Sequence, residues 1–74
     1  MVNSMRPLVF LQNGDHGQIK RVGGAAETRR FLAGLGFVED ADISIISRLN
    51  GNLIVNIKDS RVAINEDMAR HIMV

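Results

Sequence analysis

The stretch ISIISRLNGNLIVNI, residues 43–57, decides the fold. Ile43 to Arg48 is rich in β-branched isoleucine, and Leu53 to Ile57 follows the two-residue period of a strand with one face on a core. Between them stands Asn50-Gly51. A type I′ turn needs φ > 0 at both central residues, which asparagine tolerates and glycine adopts without steric cost, so this dipeptide predicts an antiparallel hairpin. A lone hairpin is marginal in water and must bury its apolar face under further elements.

Downstream, Arg61 to Ile64 predicts another strand after a turn near Asp59-Ser60. Asn65 is placed to cap a short helix over Glu66 to Arg70, whose acidic first turn suits the helix dipole. The closing His71 to Val74 predicts a terminal strand. Upstream, residues 1–6 read as a loose lead-in. Pro7 to Leu11 is a short apolar segment with proline at a strand start or edge, followed by the turn signal Asn13-Gly14. His16 to Val22, anchored by Ile19 and Val22, predicts a strand closed by Gly23-Gly24.

Ala25 to Leu35 has helical spacing, with Thr28, Phe31, Leu32 and Leu35 on one face. Phe31, Leu32 and Leu35 are the expected buried ridge, and Glu27 and Arg30 a possible exposed pair on the other face. Gly36 follows the last ridge residue, where a helix commonly ends in a left-handed residue, and Phe37 sits where an apolar contact back onto the helix accompanies that ending. Gly34 inside the helix costs up to about 1 kcal/mol relative to alanine and is expected to allow close packing against a strand. Arg29 and Arg30 precede the ridge and cannot both point inward. They read as solvated, or as a contact surface for an acidic partner.

Together these elements predict a mainly β fold. The expected architecture is a small barrel of about five strands with one inserted α-helix and a short helical turn before the last strand, closed so that no long edge is left exposed. At 74 residues, 46% of them apolar and 23% charged, the chain has room for one core. Residues 7–74 form the expected single domain. A core of this size often nets only about 3–5 kcal/mol, so association would help. Pro7 to Leu11, as an apolar edge, would permit a homodimer.

Nine basic residues against eight acidic ones give a net charge of +1, with the signs interleaved, so electrostatics selects no polyanionic partner. Cysteine is absent, which removes thiolate metal sites, redox pairs and cysteine nucleophiles. No nucleophile-elbow or phosphate-loop pattern is present, and Gly14-x-x-Gly17 is better explained as turn glycines. Neither an enzyme nor a cofactor is expected. Leu8 to Leu11 is far shorter than a signal-peptide core or the ~20 residues of a membrane span, so a cytoplasmic location is expected. Asp15 with His16, and His71 with Asp67, each offer an oxygen and a nitrogen ligand. Two ligands fall short of the three that a dedicated ferrous site usually needs, so no metal site is expected.

The order Leu11, Gly14, Gly17, Ile19, then Arg29-Arg30-Phe31-Leu32, Leu35-Gly36-Phe37, Ile43, Val62-Ala63-Ile64, Ala69, Ile72 and Val74 resembles the FeoA family of ferrous iron transport proteins. The resemblance runs from about Leu8 to Val74. It implies an SH3-like barrel, similar to the C-terminal domain of iron-dependent repressors. It also implies a small cytosolic accessory protein that acts by protein–protein interaction with the FeoB-type ferrous iron transporter, at its cytosolic region. The family's Arg-Arg and Leu-Gly pairs carry over to Arg29, Arg30, Leu35 and Gly36. Where members usually have Pro-Gly after the helix, this chain has Glu39 and Asp40. The expected partner-binding residues are Arg29, Arg30, Glu39, Asp40 and Asp42, on the helix and the loop after it.

Two alternatives remain. A small barrel of this kind sometimes binds nucleic acid, but that calls for a basic face and stacking aromatics, and Phe31 and Phe37 are expected in the core. The chain could also be an interaction partner of an iron-dependent repressor, since it lacks a helix-turn-helix segment of its own.

Overall fold

The computed structural model describes residues 5–74. After a single 3₁₀ turn at Leu8–Phe10, the elements run β1 (His16–Gln18), β2 (Arg21–Val22), α1 (Ala26–Gly34), β3 (Asp42–Leu49), β4 (Asn52–Ile57), β5 (Ser60–Asn65), α2 (Glu66–Ala69) and β6 (Ile72–Met73). β1, β3, β4 and β5 form one antiparallel sheet in that order, and β2 pairs with β6 in a second. The central hairpin forms as its turn dipeptide requires, with Asn50 at φ 53° and Gly51 at φ 81°. One core fills the space between the sheets, built on Leu32, Phe37, Ile45, Leu53, Val55 and Ile72.

The His16–Val22 segment is two strands rather than one. Ile19 is fully buried and its N–H donates to the Ala41 carbonyl, while the Lys20 N–H donates to Met73. The backbone therefore changes partners at this corner, and that change carries the chain from the first sheet to the second. Pro7–Leu11 is not a strand either. Leu8 and Leu11 are three apart, the period of a 3₁₀ turn, so the turn buries both and leaves Phe10 69% exposed. Pro7 bridges to Met73, and Arg6 and Val74 exchange backbone hydrogen bonds. This segment offers no free apolar edge for a homodimer. Of the expected lead-in, residues 1–4 lie outside the described residues, and Arg6 is held by the bonds to Val74.

The β4–β5 hairpin turns at Lys58-Asp59, one residue earlier than the Asp59-Ser60 reading. Both residues have positive φ, 48° and 64°, the requirement of a two-residue turn, which Asp59 tolerates and Lys58 does not favour.

β3 carries a bulge that the alternation did not predict. Ile45 faces Val55 and Ser47 faces Ile54, so Ile46 is the extra residue. One inserted residue exchanges the faces of everything beyond it. Leu49, which simple alternation from Ile45 would send inward, is 60% exposed, and Arg48 lies opposite the fully buried Leu53 on the core side. There its Nη2 donates to the carbonyls of Val9 and Leu11, fastening the 3₁₀ turn under the hairpin.

α1 touches the core through a narrower stripe than its spacing predicts. Leu32 is its fully buried residue, with Thr28 and Leu35 half-buried, whereas Phe31 is 53% exposed. Phe31 lies one residue, about 100° of helix rotation, off the line through Leu32. Gly34 does not pack against a strand: a methyl group there would meet nothing within 4 Å. The helix ending forms as expected. Gly36 has φ 106°, its N–H donates to Ala33 and the Phe37 N–H reaches back to Leu32, a Schellman motif whose apolar contact is Phe37 on Leu32. At α2, the Asn65 side chain accepts from the Met68 N–H at 2.8 Å, the expected cap.

Candidate interaction surfaces

α1 displays the first surface. Arg29 and Arg30 are both exposed, and among the described residues the only ion pair is Arg70 with Asp67, so Glu27 and Arg30 do not pair. Next to the two arginines, Phe31 opens onto a cleft of about 440 Å³ lined with Ala25, Glu27, Thr28 and Met68. An exposed aromatic beside two guanidinium groups is the composition that interface centres favour over the rest of a surface. Phe31 was missed as a surface residue because its helical spacing matched the core. Its offset from Leu32 was the available signal. The exposure also removes the argument that Phe31 is spent on the core, leaving the +1 charge as the point against nucleic acid.

Asp40 and Asp42 line a second surface that shares no lining residue with the α1 cleft, and Glu39 is exposed in the same turn as Asp40. Val38 to Ala41 is a turn closed by the Ala41 N–H on the Val38 carbonyl, and Asp40 stands at its third position with φ 71°. That is a type II turn, whose second and third positions favour proline and glycine. Glu39-Asp40 therefore keeps the turn that Pro-Gly would make. It is pinned by the Asp40 N–H on the Ile19 carbonyl and by Gln18 Nε2 on the Asp40 carbonyl. Asp40→Gly should raise stability by about 0.5–1 kcal/mol through relief of the left-handed strain, partly offset by a freer unfolded chain. A rise in the urea midpoint at unchanged slope checks this.

Asp42 is not in the loop. It opens β3 opposite Gln18, and with Asp40 it lines a shallow furrow of about 760 Å³ whose other walls include His16, Asn56, Lys58 and Asp59. The furrow is open and mixed in polarity, suited to water or a partner surface rather than to an enclosed small molecule.

The sequence's paired ligands are used elsewhere. Asp15 accepts the Gln12 N–H at 2.9 Å, and Asp67 accepts from Arg70 at 2.6 Å. The His71 ring lies against Gly24, where a methyl group would come within 3.2 Å of it, and Gly24 has φ 93°. Among the described residues no three histidine or carboxylate groups come together to hold a metal ion, and no helix is long and apolar enough to cross a membrane.

Residues 6–74 match the FeoA domain pattern. The chain belongs to the FeoA family. An Fe(2+) transport protein A assigned in Methanocaldococcus jannaschii is 29% identical over 70 residues, 95% of this chain and 85% of that protein. Among solved structures, an iron uptake regulatory protein (FeoA) superposes with a TM-score of 0.88 at 25% identity, over 96% of each chain. A manganese-dependent transcriptional repressor in complex with manganese also superposes at 0.88 and 25% identity, but this FeoA domain spans only 37% of that chain. The two-sheet arrangement described above is accordingly the SH3-like barrel of FeoA proteins, with six short strands in place of the expected five or so.

Proposed function

We propose that this FeoA domain is a cytoplasmic, non-enzymatic accessory protein of ferrous iron transport that docks on the cytosolic region of a FeoB-type transporter and modulates uptake. Family membership across residues 6–74 supports the pathway. The observation that carries the docking mode is the exposed α1 surface, where Phe31 projects beside Arg29 and Arg30 with no ion partner for either arginine among the described residues. Phe31 supplies contact area at low conformational cost, and the arginines supply orientation and partner choice against an acidic surface. Asp40 and Asp42 line the second furrow, whose Lys58 side chain lies beside Gly36 at the end of α1, and Glu39 is exposed in the turn before Asp40.

The test is calorimetric titration of the isolated transporter cytosolic region, with GTP hydrolysis followed in parallel. Saturable binding is expected, weakened at least tenfold by Phe31→Ala, by about 1.4 kcal/mol or more. Arg29→Glu or Arg30→Glu should weaken it further at low salt than at high salt. Unchanged affinity in all three variants would move the docking surface off α1, and absence of binding with any nucleotide would remove this partner. The likeness to a metal-dependent repressor domain favours a second reading, association with such a repressor, and the same titration against that protein decides it.

A further inference from the structure

β5 is the outer strand of the four-stranded sheet, and the ladder bonds leave one side of it open. Ile57 and Ser60 close a two-residue turn and form a hydrogen-bonded pair, so Val62 with Val55 and Ile64 with Leu53 bond in the same way. The N–H and C=O groups of Arg61 and Ala63 then point away from β4. No hydrogen bond to either residue from outside the ladder occurs among the described residues, and both are exposed.

The other margins of the fold are covered or short. β1 has three residues, with Val74 against its Gly17, and β6 is flanked by Pro7 and β2. β5 has six residues and little to blunt its edge: it contains no proline, no bulge and no inward charge, and Arg61 is its one charged side chain.

We infer that β5 is a self-association edge, pairing antiparallel with β5 of a second copy about a two-fold axis at Val62. In this register Arg61 faces Ala63 of the second copy and Ala63 faces its Arg61, so four backbone hydrogen bonds form from groups that otherwise have only water. Val62 meets its own counterpart, a β-branched cross-strand pair. The strand selects a copy of itself because its one charge lies off the axis: centring on Arg61 would oppose two guanidinium groups, whereas centring on Val62 opposes none. Centring on Ala63 would run the second strand into α2, which begins directly after Asn65. The pairing joins two four-stranded sheets into one of eight, and the net charge of +1 per chain opposes it little. The contact is small, so the dimer belongs to the weak class of interfaces.

Sedimentation equilibrium from about 10 µM to about 1 mM tests this directly. The mass should rise from 8.2 kDa towards twice that value, and amide signals of Arg61 and Ala63 should shift with concentration. Ala63→Glu places a carboxylate opposite the second copy's Arg61 twice over and should tighten the dimer about three- to tenfold, whereas Ala63→Lys should weaken it comparably. Ala63 points to solvent, so both variants keep the fold. Ala63→Pro removes an N–H that β4 does not use and should abolish dimerisation. A protein that stays monomeric at the highest concentration overturns the inference, as does a dimer on which Ala63→Glu and Ala63→Lys act equally.

Discussion

Truncating Leu32 to alanine lowers the unfolding free energy by about 2–5 kcal/mol, the range for buried leucines whose cavity relaxes only in part. In a domain whose core often nets about 3–5 kcal/mol, that removes most of the folded population at room temperature. The effect is this large because Leu32 is the fully buried residue of α1 and also the third residue from its end. Its side chain holds the helix to Phe37, and its carbonyl accepts the Phe37 N–H that closes the helix ending. Losing the side chain therefore loosens α1 and the segment leading to β3 together. Phe31→Ala, one position earlier, should change stability by well under half as much, because that ring is largely exposed. Urea titrations of the two variants side by side check the contrast, and comparable losses would show that the ring is buried in solution.

Arg48→Ala should cost about 2 kcal/mol, an unusual figure for an exposed arginine with no ion partner. Its guanidinium donates to two backbone carbonyls, and the Leu11 carbonyl it serves is partly buried, so removal leaves that acceptor short of a donor. Arg48→Lys should recover only part of the loss, since one ammonium group lacks the planar fork that reaches both acceptors. Arg61→Ala, an arginine on the outer face, should fall within about 0.5 kcal/mol of the parent. Faster amide exchange across Leu8–Leu11 in Arg48→Ala would locate the damage in the 3₁₀ turn. An unchanged urea midpoint would show that the clamp contributes nothing to stability.

What the sequence made legible follows the strength of each local rule. Asn50-Gly51, Gly36 with Phe37, and Asn65 before Glu66 are positions where one residue type serves a backbone need, and each forms as read. The failures are tertiary. The split between β1 and β2 depends on which distant strand claims Lys20, and residues 16–22 carry no trace of Met73. The β3 bulge has no glycine or proline to mark it, so Arg48 and Leu49 could not be placed on their faces by counting. Lys58-Asp59 adopts two left-handed conformations, and Lys58, at the first of them, is not a residue type that favours one. For the α1 surface, Arg29 and Arg30 were visible as exposed charges, but Phe31 was concealed by a spacing rule that cannot distinguish the centre of a buried stripe from its margin.

The reciprocal bonds between Arg6 and Val74, together with the β2–β6 pairing, set the timetable of folding. The central hairpin and β5 are neighbours in sequence, so residues 42–65 can pair early. The second sheet cannot begin until β6 has folded back onto β2, because its two strands lie far apart in the chain. Until then Ile72 is missing from the core it shares with Leu8, Leu11 and Ile19, and the half-built core is exposed to chaperones and proteases. Long-range closure of this kind slows folding relative to helical domains of similar length. A chain interrupted before Ile72 should therefore be degraded as an unfinished product.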